Sequence, residues 1–192
     1  MIKKLLIVFS LFLLPLMASI ENDLKGMLQS KIDTITVILD DKNSSKEQKE
    51  MRIISSIEDI FDFNLMAKLS LGREWKKLTP KDREDYNRFF IERVKNSYFE
   101  KLNSYTDEKI EIKEPKRVKK NRITIPSCVV GKSEPLKVFY KFYMTKEKKW
   151  LIYDLEIEGV SIIQTYRTQF AEILANLNFK NLLEKLSTQR KQ

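Results

Sequence analysis

The chain has 192 residues, 42% of them hydrophobic, and a formal net charge of +9, which leaves room for one domain with a real core. It contains no histidine, so Ser-His-Asp and Cys-His nucleophilic sites, histidine metal centres and imidazole proton shuttles are excluded. Four unclustered glycines offer no phosphate-cradling loop, and a lone cysteine, Cys128, allows no intramolecular disulfide.

The first residues read as an export signal. Lys3 and Lys4 precede an apolar run from Leu5 to Met17, followed by the small residues Ala18 and Ser19. The run is short for a membrane-spanning helix, and Pro15 weakens it further. Residues 1–18 are therefore expected to be a cleaved signal peptide, with residues 19–192 a single domain carrying a helical sub-lobe. An exported basic chain is expected to meet anionic membrane surfaces or acidic partners rather than nucleic acid.

Leu24, Met27, Leu28, Ile32, Ile35 and Ile38 keep helical spacing. Ser45 and Gln48 form a capping box for a second helix, with Met51, Ile54, Ile57 and Phe61 along one side. Asp62 is placed to cap a third helix, which Gly72 would close. Thr79, Pro80 and Asp82 open the longest helix, whose stripe is Tyr86, Phe89, Phe90, Val94, Tyr98 and Leu102.

The period then changes to two. Ile110 with Ile112, Ile123 with Ile125, the run Lys137 to Met144, and Leu151 to Ile157 read as four antiparallel strands. Val138, Tyr140, Phe142 and Met144 fall on one face, and Tyr153, Leu155 and Ile157 repeat the pattern. Cys128 is expected to be a small buried hydrophobe. The connection KEPKRVKKN, within residues 113–122, is the longest and most basic. Asp154 and Glu156 alternate outward and read as solubilising, while Glu158 could bind backbone amides at the next helix start; none is assigned a catalytic role. Ser161 with Gln164 caps a helix bearing Ile163, Tyr166 and Phe170, and a last helix carries Phe179, Leu182, Leu183 and Leu186. The expected fold is α+β: N-terminal helices, a four-stranded antiparallel twisted sheet, and C-terminal helices packed on one sheet face. Such stripes normally build a filled core; eleven Phe and seven Tyr lean the reading towards a cavity lining.

WLIYDLEIEGVSIIQTYRTQF resembles a signature segment of the MlaC family, also called toluene-tolerance proteins, through Trp150, Tyr153, Asp154, Glu158, Gly159, Val160, Ser161, Tyr166, Arg167 and Phe170. Phe61, Phe63, Met66, Ala67, Gly72, Trp75, Thr79, Arg83 and Phe90 match a second block. The resemblance covers essentially the whole chain after the signal, and KEPKRVKKNRITIPSCVV departs from it. It implies a periplasmic carrier that holds phospholipid acyl chains in an apolar cavity, is not an enzyme and needs no cofactor. It also implies partners: an outer-membrane lipoprotein complex and an inner-membrane ABC transporter with an MCE-domain protein, served by a monomer that maintains outer-membrane lipid asymmetry. Within that implication the expected lining is Phe90, Val94, Tyr98, Tyr140, Phe142, Tyr153, Leu155, Ile157, Ile163, Tyr166 and Phe170, with Lys119, Lys120 and Arg122 as a membrane or partner contact and no metal. A periplasmic chaperone or adaptor holding an apolar peptide segment is the alternative.

Overall fold

The computed structural model describes residues 13–102, 109–131 and 134–188, with side chains from Ile20 to Ser97 in the first of these spans. Of the expected export segment, residues 1–12 lie outside the described residues, and α1 (Leu13–Asp40) runs unbroken through Ser19. Next come α2 (Lys46–Ile57), a tight turn Glu58–Ile60, α3 (Phe63–Leu71), a second tight turn Glu74–Lys77 and α4 (Pro80–Leu102). The strands are β1 (Lys109–Ile112), β2 (Lys116–Lys119), β3 (Arg122–Val130), β4 (Leu136–Met144), β5 (Trp150–Ile157) and β6 (Val160–Ser161). Helices α5 (Ile162–Asn176) and α6 (Phe179–Thr188) close the described chain.

The α+β class holds, with six strands rather than four. The sheet runs β1-β3-β4-β5-β6, and β2 also pairs with β3. β2 lies inside the basic connection read as a loop, because its lysines mask a strand that pairs along one edge only. β6 follows β5 through Glu158 (φ 49) and Gly159 (φ 80). Two consecutive left-handed residues are what a two-residue hairpin demands.

The caps form where the sequence places them. Ser45 accepts from the Gln48 amide while Gln48 reaches back to the Ser45 amide. Asp62 accepts from the Leu65 amide at 2.8 Å, and Ser161 accepts from the Gln164 amide at 3.1 Å. Thr79 and Asp82 bond reciprocally at the start of α4.

Four local expectations need correction. Met51 is 63% exposed, and α2 instead buries Ile53, which packs with Ile38 of α1; among the described residues α2 lies chiefly against α1, the side that Ile53 rather than Met51 faces. Cys128 is half-buried, because β3 turns Ser127 and Val129 inward. Asp154 is no surface solubiliser: it is 5% exposed, accepts from Ser161 Oγ at 2.8 Å and the Ile163 amide at 3.2 Å, and pairs with Lys141 at 3.2 Å. It therefore does the amide-binding work expected of Glu158, whose carboxylate accepts from the Lys137 amide instead.

Besides the small Ile38–Ile53 pair, two larger apolar clusters result. Leu24, Leu28 and Ile32 of α1, with Ile60, cover Ile123, Ile125, Phe142 and Ile152 on one sheet face. The second joins α3, α4, α5 and α6 through Met66, Tyr86, Phe90, Tyr166, Phe170 and Leu182. So the first helix covers the middle of the sheet, and among the described residues the C-terminal helices meet it at its β5–β6 side, with Leu155 and Ile157 of β5 packed against them.

Replacing Asp154 with alanine strips the α5 start and Ser161 of their buried acceptor, and a loss of about 2–4 kcal/mol is expected in urea unfolding. A loss below about 0.5 kcal/mol would mean the carboxylate is not a structural cap.

Candidate functional site

The helical cluster is a nest of rings. Phe90 and Tyr166 lie 5.3 Å apart, Tyr166 and Phe170 5.4 Å, and Phe90 and Phe170 6.3 Å. Tyr86 stacks on Phe90 at 5.7 Å, and its buried hydroxyl shares a 2.6 Å hydrogen bond with Ser70. Burial pushes that phenol far above its ordinary range, so it stays neutral.

The expected lining residues separate into groups. Phe90, Val94, Ile163, Tyr166 and Phe170 belong to this cluster, packed on one another. Phe142 is fully buried under α1, and Tyr140 borders the same sheet cluster. Leu155 and Ile157 extend from β5 against the helices. Tyr153 does not join them: the register shifts so that Lys141 opposes Asp154 while Phe142 opposes Ile152, leaving Tyr153 unpaired in a bulge. One extra residue reverses the alternation, and Tyr153 instead meets Tyr143 edge-to-face at 5.9 Å on the other face. Tyr98 lies on α4, its side chain outside the described residues.

Of the expected contact residues, Lys119 and Lys120 are exposed at the β2–β3 turn. Arg122 is half-buried, its guanidinium 5.1 Å from the Tyr143 ring centre and 4.8 Å from that of Tyr153.

Among the described residues, Phe61 and Leu155 are the ones that touch both clusters. Phe61 pairs by its backbone with Ile152 and stacks on Phe63 at 5.3 Å. Beside it opens a groove of about 750 Å³, walled by Phe61, Phe63 and Leu65, by Ile91 of α4, and by Tyr143 and Leu151 of the β4–β5 hairpin. Its rim is polar: Lys95 pairs with Glu58 at 3.2 Å and lies 5.3 Å from the Phe63 ring centre. Asp62 ties the rim together, capping α3 with one oxygen and accepting the Tyr143 hydroxyl with the other. Sequence reasoning passed over this groove. The available signal was the pair Phe61 and Phe63, two rings flanking the helix cap Asp62.

Many signature residues hold these parts in place. Arg167 donates to the Leu69 carbonyl at 3.0 and 2.8 Å, closing the end of α3 from α5. Its guanidinium lies where a Cβ on Gly72 would sit 3.2 Å away, and Gly72 has φ +57. Arg83 donates to the Trp75 carbonyl at 3.3 Å and lies over its ring at 5.6 Å.

A two-layer α+β domain, its helical cluster and its covered sheet joined along one apolar seam beside an open groove, is the class this geometry defines. The sequence model of the MlaC protein family matches residues 29–188, and the chain belongs to that family. It is 24% identical over 126 residues to the intermembrane phospholipid transport system binding protein MlaC of Haemophilus influenzae, covering 64% of this chain and 59% of that relative's length. A phospholipid-binding protein from Ralstonia solanacearum, solved in complex with a phospholipid, shares the fold with a TM-score of 0.74 at 20% identity, over 85% of this chain and 94% of that one.

Burial, then the hydrogen bond to Asp62 and its negative charge, pushes the Tyr143 phenol up to about 12. A phenol held above its unfolded value of about 10 contributes stability that is complete below that pH and is lost as pH rises through the folded value. The stability difference between wild type and Tyr143→Phe is therefore expected to stay constant below about pH 10 and to shrink towards pH 12. Paired urea titrations across the alkaline range check this; a difference that does not change with pH contradicts the Asp62 contact.

Proposed function

We propose that the protein is a periplasmic phospholipid carrier, exported by its first 18 or so residues, whose acyl chains part the two clusters along the Phe61–Leu155 seam. The observation that carries this reading is the family membership over residues 29–188. The seam and groove support it physically: apolar walls meet there without one continuous core. Chains in this position would run between Phe90, Val94, Ile163, Tyr166 and Phe170 on one side and Tyr140, Leu155 and Ile157 on the other. The protein would serve as a monomeric shuttle between an outer-membrane lipoprotein complex and an inner-membrane ABC transporter with an MCE-domain protein.

A two-tailed lipid exposes roughly 30 methylenes at about 0.8 kcal/mol each, so unassisted passage through water faces a barrier on the order of 20 kcal/mol. A carrier lowers that barrier with an apolar lining and asks for no nucleophile or metal. Rings suit the task because they can pack on one another or on a chain. Bound lipid also stabilises the folded state by mass action.

Protein purified from the envelope and extracted with organic solvent is expected to yield phospholipid in roughly one-to-one ratio by mass spectrometry, with delipidation lowering its melting temperature. Protein that comes out lipid-free and takes up no fluorescent phospholipid contradicts the carrier reading, and a peptide retained in native mass spectra would replace it with the chaperone.

A further inference from the structure

The register brings together two basic turns that are far apart in sequence. Arg122 opposes Tyr143, and the Met144 amide donates to the Asn121 carbonyl at 3.2 Å, so the β2–β3 and β4–β5 turns project from the same end of the sheet. Lys119 and Lys120 are exposed on the first, and Lys146, Lys148 and Lys149 on the second. Glu147 is the one acid within these two turns. Glu21, near this end, is committed to Arg117 at 2.9 Å. The arginines at this end are committed too, Arg117 to Glu21 and the Trp150 ring, Arg122 to Tyr143 and Tyr153. Val118, at a register shift in β2, stands 62% exposed beside Lys119 and Lys120.

We propose that this lysine-tipped end of the sheet docks on an anionic bilayer surface. Three features favour a bilayer over an acidic protein. The exposed cations at the two tips are all lysines, flexible point charges suited to a diffuse layer of head groups, whereas matching defined carboxylates is work for the planar arginine fork. Two tips at one end meet a plane at several points at once. Val118 adds an exposed apolar side chain next to Lys119 and Lys120, a combination suited to the boundary between head groups and acyl chains. Thr145 and Lys146 also wall the groove, so docking by this end brings its mouth to the bilayer. That last orientation rests on the carrier reading; the binding itself does not.

The test is co-sedimentation with vesicles of phosphatidylglycerol and phosphatidylcholine, against vesicles of phosphatidylcholine alone. Wild type is expected to bind the anionic vesicles, with binding falling as salt rises. Glutamine at Lys119, Lys120, Lys146, Lys148 and Lys149 should weaken it more than about tenfold, while glutamine at the exposed Lys42, Lys46, Lys68, Lys76 and Lys180 should change it less than about threefold. Equal losses in the two variants would reduce the effect to net charge and overturn the proposal. Failure of wild type to bind anionic vesicles would overturn it as well, leaving an acidic protein partner or a solvated sheet edge. Lipid extracted from wild type in either case would leave the carrier reading standing.

Discussion

Phe61 and Leu155 are the hinge of the structure in an energetic sense: each touches both apolar clusters. A single close-packed core resists insertion, because every added methylene forces neighbours off their preferred rotamers. Two cores that meet along a line yield more cheaply there. Covering the sheet with α1 and gathering α3 to α6 into a nest of their own creates that line. A groove opens beside Phe61, one of the two residues on that line.

Polar contacts anchor the two sides of the seam. Asp62 holds the start of α3 and, through Tyr143, the β4–β5 hairpin. Asp154 fastens β5 to α5, and Arg167 fastens α5 to the end of α3. These directional bonds tie the helical side to the sheet as well as within itself, beside the apolar contact made by Phe61 and Leu155. Many signature residues are scaffold in the same way: Gly72 makes room for the Arg167 guanidinium, and Gly159 turns the chain between β5 and β6.

The helices were legible because their caps are chemical: Ser45 with Gln48, Asp62, Thr79 with Asp82, and Ser161 with Gln164 each act within a few residues of chain. Strand faces were legible until β5, where one bulged residue sent Tyr153 to the opposite face. Periodicity tells which side of an element is apolar but not what will cover it. So α1 over the sheet, Ile53 rather than Met51 inside, and the meeting of two lysine turns all depended on long-range register. The candidate site was half visible: its rings were named, but the Phe61–Phe63 groove came from how the tight turn before α3 pairs with β5.

The central claim is that guest hydrocarbon enters between the helical cluster and β5. Photo-crosslinking with a phospholipid carrying a diazirine in its acyl chain, followed by peptide mapping, tests it most directly. The account predicts saturable adducts on the peptides bearing Phe61, Phe90, Leu155 and Phe170, competed away by unlabelled phospholipid. Adducts confined to exposed surfaces, or uncompeted, would contradict it.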